Sequence, residues 1–161
     1  MKLNSLIRKW RNSELPLYDY LEQLPDHTFS YTDDLLIEIQ EAIRHKASEY
    51  LEMLLCICSW DGVNNRYTKL LCNLLNADWH EWHEDIVMLL DEIKDPESID
   101  SIYEIALKIP DFDDGRSLAK KSIWALGSIG TIKAMGKLKI LSENEDPIIN
   151  KAARLELTRF S

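Results

Sequence analysis

His80, His83 and Glu84 stand at i, i+3 and i+4 within Trp79–Asp85, which reads WHEWHED. On a helix that spacing would bring the three side chains onto one face. Two imidazoles and a carboxylate are a serviceable ligand set for a metal ion. The order is not that of the HExxH zinc proteases, however. No other His-rich or Cys-rich cluster supplies a further ligand, so we expect no metal here. The plainer account is a helix start, where Glu81, Glu84 and Asp85 favour the positive end of the dipole. Trp79 and Trp82 then either pack inward or stand at a partner surface, where tryptophan is enriched. Asp111–Gly115 (DFDDG) hints at a calcium loop, but an EF-hand needs Asp-x-Asp-x-Asp-Gly and a Glu at position twelve. Position twelve is Ser122, which leaves a flexible acidic loop.

Other chemistry lacks its residues. There is no Gly-x-Ser-x-Gly elbow and no phosphate-binding glycine loop. Cys56, Cys58 and Cys72 have no placed base. They form an odd set inside apolar runs (LLCICSW, KLLCNLL), which reads as buried small hydrophobes in a reducing compartment rather than a disulfide framework. The expectation is a protein without catalytic residues or cofactor.

Charge is the stronger signal. The chain of 161 residues carries a net −9, unevenly spread. Residues 1–11 hold four bases and no acid, residues 12–114 hold 24 acids against six bases, and residues 115–161 hold nine bases against four acids. Such a centre repels nucleic acid and anionic lipid and attracts basic partners; a solvated acidic surface kept for solubility is the alternative. The candidate partner-binding residues are Glu81, Trp82, Glu84, Asp85, Asp91, Glu92 and Asp95, then Glu97, Asp100 and Glu104, then Asp111, Asp113 and Asp114. The first group follows helical spacing, the second continues it on the next helix, and the third extends it onto a loop.

The elements that would position these residues are helices. Hydrophobic residues make up 45% of the chain, with only five Gly and five Pro; that supports a packed core and argues against long disordered stretches. No run is long and apolar enough for a membrane span, and the first residues lack a secretory signal's apolar core. A cytoplasmic protein is expected. Helices are expected over residues 3–10, 17–24, 66–75, 83–94, 97–109, 118–129, 132–141 and from 147 to about 160. The run from Leu35 to Cys58 is one helix or two meeting near His45. We expect a single all-α domain over residues 1–161, of about nine helices in roughly four antiparallel pairs. Residues 1–30 form the N-terminal cap, 31–78 divergent helices, and 79–161 the clearer repeats.

Residues 88–105 align with residues 124–141 at a constant offset of 36, pairing Leu90 with Leu126, Ile93 with Ile129 and Ile102 with Leu138. A third copy opens at Pro147, with Leu157 falling 31 residues beyond Leu126. Helix pairs that cannot bury both faces alone stack on their neighbours. Lys121–Gly130 (KSIWALGSIG) resembles the first helix of a HEAT repeat of the PBS-lyase type, through Ser122, Ala125, Leu126, Gly127, Ile129 and Gly130. The resemblance covers residues 80–160 well and the first half loosely. Thr131-Ile132 departs from it, and Arg154–Leu157 lacks the final Ala-Leu-Gly. More narrowly, HEDIVMLLDEIKDPESIDSIYEIAL followed by AKKSIWALGSIGTIKAM resembles bacterial HEAT-like proteins found as immunity proteins of polymorphic or contact-dependent toxin systems. That resemblance implies a HEAT-like solenoid that binds a cognate toxin C-terminal domain, commonly a nuclease, and masks it. The alternative is a HEAT-type scaffold or adaptor for another protein. Nucleic acid and membrane are not expected partners, and the oligomeric state is left open.

Overall fold

A computed structural model describes residues 2–25, 30–108 and 113–160. Among them are ten α-helices and no strand. They are α1 (Leu3–Arg11), α2 (Leu17–Glu22), α3 (Thr32–His45), α4 (Ser48–Asp61), α5 (Thr68–Leu75), α6 (His83–Ile93), α7 (Ile99–Ala106), α8 (Ser117–Ile129), α9 (Ile132–Leu141) and α10 (Pro147–Leu157). The tenth helix, against nine expected, comes from the Leu35–Cys58 run: it is two helices, broken at Lys46-Ala47. The seventh helix is shorter than expected because Pro96–Ser98 forms a separate 3-10 turn before it. Ile109, expected to end it, lies outside the described residues. The expected turn at Ser59–Asn65 begins later, since α4 continues to Asp61.

The chain divides into two compact units. The first comprises residues 1–63 with 79–81, the second residues 64–78 with 82–161. In the first, α4 packs on α2 and α3. The α4 carboxylate Asp61 accepts from Ser30 Oγ at 2.7 Å and from the Tyr31 amide at 2.8 Å, which anchors the start of α3. Tyr50 of α4 donates to Glu38 of α3 at 2.7 Å. Burial, then that bond, push the Tyr50 phenol up to about 12. Leu35, Ile39, Leu51, Leu54 and Ile57 are fully buried in this unit, at roughly 1.5–3 kcal/mol each.

In the second unit α8 is the hub. It packs on α6 and α7 before it and on α9 and α10 after it. Small residues make this possible: Ala119, Ser122, Ala125 and Gly127 are all buried, and the Ser122 hydroxyl is satisfied by the Leu118 carbonyl at 2.9 Å. Gly127 is the tightest point. A Cβ there would stand 2.6 Å from Glu156 Cγ of α10, so glycine is what lets the α10 side chain lie across α8.

Two corners recur 36 residues apart. Helix α6 ends at Lys94 and α8 at Gly130, both left-handed, with φ of 55° and 63°. Each is followed by an extended residue whose side chain caps the next turn. Asp95 accepts from the Glu97 amide at 3.0 Å, and Thr131 from the Ala134 amide at 3.2 Å. Asp95 also accepts from Thr68 Oγ1 at 2.8 Å, which fastens the corner to α5. A left-handed residue costs about 1–2 kcal/mol unless it is glycine. Lys94 carries that cost and Gly130 escapes it.

Lys94→Gly is therefore expected to raise the urea midpoint, by up to about 1 kcal/mol of stability, and Gly130→Ala to lower it by about 1 kcal/mol. A Cβ at Gly130 meets only ordinary contacts, so backbone conformation alone is tested. Like-signed shifts would show that the corners do not hold this conformation. Gly127→Ala is expected to cost about 1–3 kcal/mol by displacing Glu156. Glu156→Ala in the same chain should recover most of that loss, and a double variant no better than the single one would place the crossing elsewhere.

Candidate partner-binding surface

The WHEWHED segment does not form one helical face. Helix α6 begins only at His83, so His80 lies ahead of it. His80 is buried and meets Trp79 edge-on, with ring centroids 4.8 Å apart. The His83 ring instead bonds the Ala77 carbonyl at 2.9 Å. Among the described residues no group of three or more His, Cys, Asp or Glu is placed to hold a metal. Trp82 is half-buried at the helix start, its carbonyl accepting from the Ile86 amide at 3.0 Å. Cys58 is buried, whereas Cys56 and Cys72 are half-buried, and burial pushes both of those thiols up.

The acids separate into groups with different tasks. Several hold the fold. Asp95 caps the corner described above. Asp113 accepts from the Ser117 amide at 2.8 Å and the Leu118 amide at 3.2 Å, and so opens α8. Asp111 and Phe112 lie outside the described residues. Asp91 is half-buried, and its inner oxygen has no hydrogen-bond partner among the described residues.

Others are neutralised by the basic C-terminal stretch. Glu84 of α6 pairs with Lys121 of α8 at 2.6 Å. Asp100 of α7 pairs with Lys133 and Lys137 of α9 at 2.5 and 3.2 Å, which holds its carboxyl below the usual range. The same Lys137 ammonium stands 4.2 Å from the centre of the Tyr103 ring. Asp146, which caps α10 through the Ile148 and Ile149 amides, is paired with Arg116 at 2.7 Å. These pairs run between alternate helices, α6 to α8, α7 to α9 and the start of α8 to the start of α10. The acids thus fall in two rows instead of the single broad band that their spacing suggests.

What remains exposed is Asp85 and Glu92 on α6, Glu97 and Glu104 along the α7 segment, Asp114 before α8, and Glu81 in the first unit. No ion pair engages any of these six among the described residues. Trp124, outside the candidate set, projects from α8 half exposed, at 50%. The signal was present: in the alignment at offset 36, Trp124 falls on Met88, which is also exposed. In the first unit an open cleft of about 260 Å³ is lined by Lys2, Leu3, Asn4, Asp34, Ile37 and Glu38, without a nucleophile or a histidine.

No helix of the described residues is long and apolar enough to cross a membrane. No protein-family model matches the chain, and no curated protein and no solved structure matches it either.

The Arg116–Asp146 pair makes stability depend on pH. The Arg116 guanidinium, with the cap amides, holds the Asp146 carboxyl below its ordinary value. A carboxylate depressed in the folded state stabilises the fold above its unfolded pKa of about 3.9, and that stability is lost as pH falls through the folded value. Arg116→Met is expected to lower the urea midpoint near neutral pH, and the deficit should shrink as pH falls through the depressed Asp146 value. A deficit that does not change with pH would mean that Arg116 acts through packing and not through charge.

Proposed function

We propose that the chain is a HEAT-like helical-repeat protein that works by binding another protein, as a cytoplasmic immunity protein that neutralises a cognate bacterial toxin domain. Support for the repeat comes from three features: α8 and α10 each pack on the two helices before them, the left-handed corners recur at 36 residues, and the caps Asp95 and Thr131 recur with them. In a stack of pairs each unit completes the core of its neighbour.

The observation that carries the functional reading is the set of exposed carboxylates that no cation engages among the described residues, above all Glu97 and Glu104. A nuclease domain must be basic around its substrate channel to hold phosphates. Carboxylates presented on rigid helices speed encounter with such a surface and exclude the nucleic acid from it. Blocking of this kind needs no catalytic residue, cofactor or metal in the blocker. An adaptor for a different protein would use the same rows, and the reading frame directly upstream separates the two: a toxin domain encoded there favours neutralisation.

Calorimetric titration with that upstream-encoded C-terminal domain tests the proposal. Tight binding that weakens with salt is expected, together with loss of the domain's activity in the complex. Glu97→Lys with Glu104→Lys should weaken binding at least about tenfold while leaving the melting curve unchanged. Asp95 and Asp113 are unsuitable for this test because they cap helices. Absence of binding would remove the neutralisation reading for that gene pair, and binding indifferent to salt and to both reversals would remove the acidic rows from it.

A further inference from the structure

In the second unit α8 packs on both α6 and α10. Glu84 in the first turn of α6 meets Lys121 early in α8; Arg116 and Asp146 pair at the starts of α8 and α10, and Gly127 late in α8 lies under Glu156 late in α10. Their outward residues are therefore in register. Met88, Trp124 and Leu155 succeed one another at steps of 36 and 31 residues, and they are 45%, 50% and 67% exposed. Ile148, one turn-pair before Leu155 on α10, adds to the same stripe. Large apolar side chains repeated at one height on three adjoining helices form a continuous stripe rather than scattered exposure, and such a stripe marks an interaction surface.

The charges beside the stripe are graded. On α6 they are acidic, Asp85 and Glu92; on α10 and the 3-10 turn after it they are basic, Lys151 and Arg159. A uniformly basic or acidic partner would be attracted by one edge and repelled by the other. A surface with the same grading, turned round, is attracted by both. We infer that this face joins two copies of the chain in a two-fold dimer whose axis runs along α8.

The direction of the axis follows from the charges. An axis across the three helices would lay α6 on α6 and acid on acid. An axis along α8 lays α6 on α10 of the second copy and keeps every residue at its own height. Trp124 then meets its own counterpart at the axis, and Met88 meets Leu155 at either side. Asp85 faces the second copy's Lys151, and Glu92 faces its Arg159. Arg159 bonds Glu156 through one nitrogen at 2.6 Å, and a guanidinium retains further donors for a second carboxylate. Each contact off the axis occurs twice, as an isologous interface requires. The dimer is independent of the toxin reading, because Glu97 and Glu104 stand on the α7 row and stay uncovered.

Sedimentation equilibrium on the full chain tests this. The parent protein is expected to be a dimer that loosens with added salt. Trp124→Glu should be a monomer up to about 100 µM with an unchanged melting curve, since this indole is half exposed. Asp85→Lys and Lys151→Glu should each weaken self-association at least about tenfold. Mixing those two variants should restore dimers, because each reversed charge then faces a reversed partner. A parent protein that is monomeric at about 100 µM, or a dimer that survives Trp124→Glu, overturns the inference. Failure of the mixed variants to pair overturns the axis.

Discussion

The second unit depends on how closely other helices can approach α8. Its buried face alternates bulk with near-absence: Leu118, Ile123 and Leu126 fill space, while Ala119, Ser122, Ala125 and Gly127 yield it. Four helices can pack around one only if some of its positions offer no side chain to clear. Gly127 is the extreme case, because the carboxyl end of the Glu156 side chain and its Cγ occupy the space a Cβ would need. The Glu156 carboxylate, buried by that crossing, is in turn held by Arg159. A backbone choice at one residue thereby fixes a salt bridge at the end of the next helix but one.

The corners work by a different economy. Lys94 and Gly130 both reverse the chain in a left-handed residue, and Asp95 and Thr131 both take up the amides that the following turn leaves open. The chemistry of each pair differs, yet the geometry is shared. What recurs at the two corners is what the backbone must do and not which residues do it. Lys46, left-handed at φ 50° between α3 and α4, closes the same kind of bend in the first unit. There Ala47 supplies no side-chain cap, so the bend rests on the bond from the Ala47 amide to the Ala42 carbonyl at 2.9 Å.

Apart from α7, helix boundaries from residue 83 onward were readable because each stop had a local cause: Lys94-Asp95-Pro96, Gly130-Thr131 and Asp146-Pro147 all combine a left-handed or turn residue with a cap or a proline. The break after His45 was legible only as one of two readings, since a lysine before an alanine carries no such mark. The WHEWHED spacing has meaning only inside a helix, and a helix that begins at His83, as the sequence predicts and the structure has it, leaves His80 ahead of it. The acidic band was legible as composition but not as a surface. Lys121, Lys133 and Lys137 come from the stretch after residue 114, and only the packing of α8 and α9 against α6 and α7 brings them to the acids.

That rearrangement of charge changes what an acidic sequence means. A run of carboxylates along the chain suggests one extended negative face, but stacked helices compare residues about 30 to 36 positions apart, not neighbours in sequence. The charge that matters at any point on the surface is then the sum over successive helices at one height. At the height of Asp100 the sum is positive, because two lysines meet one carboxylate. At the height of Asp85 and Glu92 it is graded, negative on α6 and positive on α10, with Trp124 between. Net charge therefore selects basic partners only weakly, and the pattern across the helices is the stronger selector. A surface whose two edges carry opposite signs about an apolar centre is most completely matched by its own two-fold image.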